Sequence, residues 1–69
     1  MIIARFVFEA TDNTPRFEVC VDEDLQNKLF TVSVTGSCLS DGRDKFVTGN
    51  VRVACSYAAQ EIAAGLEAP

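Results

Sequence analysis

The groups in this chain that could do chemistry are three cysteines (Cys20, Cys38 and Cys55) and ten carboxylates, with no histidine among the 69 residues. A thiol attacks only as its thiolate, so it needs a cation or a base beside it. Without histidine, Cys-His and Ser-His-Asp arrangements are excluded, and general acid–base work near neutral pH loses its usual side chain. With no C-x-x-C pair either, a structural zinc site has no fourth ligand. An odd cysteine count forbids a complete intramolecular disulfide framework. It points to reduced, mostly buried thiols, with one exposed thiol or an intermolecular bridge as the alternative. Paired carboxylates serve glycoside hydrolysis, but a chain this short hardly builds a cleft around a sugar. The expectation is a protein that is not an enzyme and carries no cofactor.

Four of the carboxylates crowd into FEVCVDEDL, residues 17–25: Glu18, Asp22, Glu23 and Asp24. With Glu9 and Asp12 they give residues 1–24 six acids against Arg5 and Arg16, which is the whole net charge of −4. Residues 25–69 balance, four bases against four acids. Such acids keep a small protein soluble and stop edge strands from pairing. They could also form a face that docks on a basic surface, where charge speeds association and selects partners more than it adds affinity. DEDLQN and SDGRD lack the alternating oxygen ligands and distant glutamate of a calcium loop. Direct nucleic-acid binding is not expected, because the pI is about 4.5 and the six bases form no stripe.

The elements that must hold these groups follow from hydrophobic period. In residues 2–10, Ala4, Phe6 and Phe8 alternate with Arg5, Val7 and Glu9, the pattern of a half-buried strand. TDNTP then clusters turn formers. Phe17, Val19 and Val21 alternate with Glu18, Cys20 and Asp22, which makes a second strand and a hairpin. Matching the apolar faces pairs Phe8 with Phe17, Phe6 with Val19 and Ala4 with Val21, and sets Glu9 opposite Arg16. In DEDLQNK, Asp22 or Asp24 caps a helical turn, or the stretch is a simple polar turn. LFTVSVT, about 29–35, is β-branched and alternating, with Phe30, Val32 and Val34 inward. Residues 36–50 hold turn signals around a short strand at Lys45–Val47, with a helix after Ser40 as the alternative.

From residue 51 the period becomes helical. Val51, Cys55, Ala58, Ile62 and Leu66 recur on one face, against Arg52, Ser56, Gln60 and Glu67. Either Asn50 or Ser56 caps this helix. The fold class is therefore α+β in a single domain: a small antiparallel sheet of three to four strands with a C-terminal amphipathic helix on one face. The helix is expected to cover Phe6, Phe8, Phe17, Val19, Phe30 and Val32. A core of this size supplies only about 3–5 kcal/mol without a staple or a partner.

No run approaches the roughly 20 apolar residues of a spanning helix, and MIIARFVF is broken by Arg5 before it reads as a signal peptide. The expected location is the cytoplasm, the host cell's if the protein is phage-encoded. Three functional readings follow. The first is a protein-binding module, an inhibitor whose acidic hairpin (Glu9, Asp12, Glu18, Asp22, Glu23, Asp24) sits on a basic, nucleic-acid-binding groove of a larger partner. In size and charge alone the chain is similar in kind to phage counter-defence proteins such as anti-CRISPRs. DNA carries one charge per roughly 1.7 Å, whereas same-face strand residues lie about 6.6 Å apart, so mimicry needs a dimer or a few well-placed contacts. The second reading is a homo-oligomeric assembly piece, suggested by marginal size and by Val7 and Cys20 on the outer sheet face. The third is a small anion or nucleotide binder at the Thr48–Arg52 turn, where a glycine precedes a helix start.

Overall fold

The computed structural model describes residues 1–36 and 45–67. Four strands and one helix follow in chain order: β1, Ile2–Phe8; β2, Phe17–Asp24; β3, Leu29–Thr35; β4, Lys45–Thr48; and α1, Val51–Glu67. The strands form one antiparallel sheet in the order β1-β2-β3-β4. The architecture is the expected open antiparallel sheet with a C-terminal helix on one face. Cys38, the Asp41-Gly42 turn and a helix after Ser40 fall outside the described residues.

The β1–β2 register is the one that face matching demands: Ala4 opposite Val21, Phe6 opposite Val19, Phe8 opposite Phe17. Slipping it by one residue would turn Phe17, Val19 and Val21 toward water. Beyond Ala4 the pairing shifts, because Ile2 is opposite Asp22 and Ile3 is the extra residue of a bulge. Strand β2 continues through Asp24, which pairs with Leu29 across a four-residue loop. That loop is a single polar turn, not a helix, and Asp24 caps it. The Asp24 carboxylate accepts from the backbone N–H of Gln26 and Asn27 at 3.1 and 3.2 Å. Asn27 Nδ2 donates to its other oxygen at 2.8 Å. These bonds hold the Asp24 carboxyl below its ordinary range, the Asn27 side chain contributing most. The loop closes through Lys28 at φ 57°, a left-handed conformation that costs a lysine about 1–2 kcal/mol.

The inner face of β2 and β3 is the core. Phe17, Val19, Val21 and Val32 are fully buried, with Val34, Ala54 and Ala58 completing the cluster. Each large side chain taken out of water stabilises the fold by about 1.5–3 kcal/mol. Phe8 stacks on Phe17 with ring centroids 4.8 Å apart, and Tyr57 stacks on Phe46 at 4.4 Å.

Helix α1 starts at Asn50, which resolves the choice of cap. Asn50 Oδ1 accepts from the N–H of Arg52 at 2.9 Å and of Val53 at 3.2 Å. The helix buries Ala58 and packs Ile62 against the core as its apolar period indicates, but the rest of its buried stripe is rotated. Ala54, Ala58 and Gly65 are buried, while Val51, Cys55 and Leu66 are exposed. Close approach explains the rotation: a Cβ on Gly65 would lie 2.5 Å from ring carbons of Phe17. The smallest side chains face the sheet so that the helix can sit down on the Phe17 ring.

The path of α1 corrects a second expectation. Leaving the β4 edge after a two-residue link, it packs on β2, β3 and β4, and its backbone stays clear of β1. Phe6, expected beneath the helix, is therefore 41% exposed.

Candidate functional site

Every acid singled out in the sequence, except Asp12 in the 9–16 connection, sits on or beside the two strands of the hairpin. Four of the six share the outer face of the sheet, while Glu23 lies at the end of the inner face and Asp12 in the 9–16 connection. Alternation from the paired register places Glu18, Asp22 and Asp24 on the outer face, opposite Thr35, Thr31 and Leu29. Glu23 is opposite Phe30, at the end of the inner face. In the 9–16 connection, Thr11 Oγ1 accepts from the backbone N–H of Thr14 at 3.1 Å.

Three of the carboxylates have cations of the same chain. Arg5 Nε donates to Glu18 Oε1, and Arg5 Nη2 to Glu18 Oε2 at 3.3 Å. Arg16 Nε donates to Glu9 Oε1 at 3.2 Å, the expected cross-strand pair. The Met1 amino group donates to Asp22 Oδ1 at 2.9 Å. Asp12 and Glu23 have no such partner among the described residues. The hydrogen bond from Arg5 is the main cause that pulls the Glu18 carboxyl below its usual range, and Glu18 in turn raises Arg5.

Beside this pair lies Cys20, opposite Arg5 in the ladder. The guanidinium is committed to Glu18, and the Cys20 thiol donates to Glu18 Oε1 at 3.2 Å. Burial, then the bond to Glu18, pushes the thiol pKa up, so Cys20 is a protonated donor at neutral pH and not a nucleophile. Cys55, expected to be buried with the others, is exposed on the helix. Its position on α1 puts it on the flank that the sheet does not cover. Among the described residues, no three His, Cys, Asp or Glu side chains converge as a metal set.

The Thr48–Arg52 turn is built but occupied. The two helix amides that would greet an anion are taken by Asn50, whose own N–H donates to Thr48 Oγ1 at 3.2 Å.

The larger feature is on the inner face, where the helix does not reach. An apolar groove of about 140 Å³ runs between β1 and α1. Its strand side is Ile3, Ala4 and Phe6, over Val21. Its helix side is Cys55, Ala58, Ala59 and Ile62. The bulge makes this wall, because Ile3 and Ala4 both turn into the groove where regular alternation would send Ile3 outward. Next to the groove is the outer edge of β1, which no other strand pairs among the described residues. Ile2, Ile3, Phe6 and Val7 are 55, 43, 41 and 41% exposed. A long apolar edge strand with a single charge is the kind that pairs with another chain. The doubly apolar pattern of IIARFVF was the sequence signal for this edge. Nothing in the sequence showed the bulge or the helix path that opens the groove.

The fold and this edge define a small α+β protein with an open antiparallel sheet and one face partly uncovered. Set against protein-family models, curated proteins and solved structures, the chain matches none. No helix among the described residues is long and apolar enough to cross a membrane.

Proposed function

We propose that this chain is a non-catalytic protein-binding module whose docking element is the β1–β2 hairpin. One observation carries the reading: β1 is a seven-residue edge strand, apolar and exposed, flanked by an apolar groove. Strand addition uses such an edge. Main-chain hydrogen bonds supply affinity, and pockets for alternate side chains supply specificity.

The acidic residues act as selectors beside that edge. Asp12 and Glu23 have no cation of their own among the described residues, and Asp24 is exposed at the end of β2. They favour a partner with a basic surface and disfavour direct binding to nucleic acid. Occupying such a surface makes the module an inhibitor, in keeping with the size and charge it shares with counter-defence proteins. Its place of action in this reading is the cytoplasm.

The test is capture by the immobilised chain and by a Val7→Pro variant. Met1 and Glu23 exchange backbone bonds, so the odd residues of β2 bond to Phe6 and Phe8 and the N–H of Val7 points away from β2; proline there removes an edge donor and leaves the internal ladder. Capture of a protein by the native chain, lost with Val7→Pro and weakened by salt, is the expected result. Equal capture by both chains, with matching circular dichroism, would overturn the reading.

A further inference from the structure

We infer that the strand received at the β1 edge is that of a second copy of this chain, joined antiparallel about a two-fold axis at Val7. The inference rests on the edge-docking reading and names the occupant of the β1 edge itself; Asp12, Glu23 and Asp24 lie outside the paired stretch 5–9 and are left for the basic partner. The direction of free backbone groups comes first. Met1 and Glu23 exchange backbone bonds, Met1 N to Glu23 O at 3.0 Å and Glu23 N to Met1 O at 2.8 Å. The odd residues of β2 therefore bond to β1, and the residues opposite its even positions, Arg5 and Val7, turn their N–H and C=O outward.

Two copies can then pair edge to edge with their inner faces on the same side. Only a few registers keep like faces together, and charge chooses among them. A two-fold axis at Arg5 sets Arg5 against its own copy, which repels. An axis at Phe6 sets Arg5 against Val7, with no ionic partner. An axis at Val7 sets Arg5 of each chain directly opposite Glu9 of the other. Arg5 already holds Glu18 and Glu9 already holds Arg16 within one chain. Across the seam the row becomes Glu18, Arg5, then Glu9 and Arg16 of the second copy, with alternating signs throughout. The same register lays Phe6 of each chain beside Phe8 of the other on the inner face. Phe6, which its own helix leaves open, gains an apolar neighbour there. The resulting sheet has eight strands, and the two grooves meet over the seam.

Charge reversal tests this directly. Sedimentation velocity of the purified chain should show a concentration-dependent species of twice the 7.5 kDa chain mass. Arg5→Glu and Glu9→Arg each place like charges opposite one another twice per dimer, and each alone should weaken self-association about tenfold or more. Mixed together, the two variants should form a heterodimer, since both seam contacts are then of opposite sign. Rescue on mixing cannot come from a folding defect, because neither chain's internal pairs are repaired by the other. A native chain that stays monomeric throughout overturns the inference, as does a dimer indifferent to both reversals. If a different protein is still captured by the native chain and lost with Val7→Pro, edge docking stands and only its occupant is wrong.

Discussion

The two sides of the helix–sheet interface differ in kind. Over β2 and β3 the helix presents Ala54, Ala58 and Gly65 to Phe17, Val19 and Val32, and these residues are buried. Over β1 it presents Cys55, Ala59 and Ile62 to a groove. The sheet supplies apolar residues on both sides, so hydrophobicity does not separate them. The separation comes from the path of one helix, which is anchored at β4 and too narrow to span four strands. Strands lie about 4.8 Å apart and a helix with its side chains is about 10 Å across, so one helix covers two to three strands. Among the described residues one helix covers the sheet, and the inner face of β1 is left partly open.

Removing a large side chain from each side should give the widest contrast. Phe17→Ala should cost about 3–5 kcal/mol, as much as the whole stability of a domain this size, so the variant should be unfolded in water. Phe6→Ala, on the open side, should cost less than about 1 kcal/mol in a monomer. Urea denaturation of both variants measures the difference, and similar midpoints would show that the groove is closed in solution.

Adding volume sharpens the same contrast. Gly65→Ala gains about 1 kcal/mol of helix propensity but drives a methyl into the Phe17 ring, and overpacking of about 1–3 kcal/mol wins. Ala59→Leu adds more atoms yet points into the groove, and its melting temperature should hold or rise.

The anchor of the helix comes next in size. Asn50→Ala strips the oxygen from two helix amides and should cost about 1 kcal/mol, read by loss of helical ellipticity on heating. Asn50→Asp should retain the cap.

The smallest effect belongs to the outer face. Glu18 has a folded pKa below its ordinary value of 4.5, so the stability it contributes is present above that pH and is lost as pH falls below it toward the folded value. Melting temperature measured down through this range should fall for the native chain. Glu18→Gln should flatten part of that fall, and an unchanged acid limb would mean that the Arg5–Glu18 pair does not form in solution.

Much of the fold was legible because a strand's period is strict. Phe17, Val19 and Val21 could face only one way, and the faces of Phe6 and Phe8 then fixed the hairpin register, with Glu9–Arg16 following from it. The helix was legible in extent but not in rotation. Its apolar period suggested a buried stripe at 51, 55, 58, 62 and 66; Ala58 and Ile62 do face the core, whereas close approach to the Phe17 ring brought Ala54 and Gly65 inward in place of Val51, Cys55 and Leu66. The acids were legible as a cluster in sequence. Their neutralisation by Arg5, Arg16 and the Met1 amine was not, except at Glu9, because diagonal and terminal contacts depend on side-chain reach.

The order of residues by itself determined the class of fold, the strand faces and the concentration of negative charge in the first third of the chain, since these depend on local period and on composition. Only the tertiary structure decided which strand is left uncovered and which carboxylates are already paired. Those outcomes turn on where the helix crosses the sheet and how closely it can approach Phe17, and no local pattern encodes either distance.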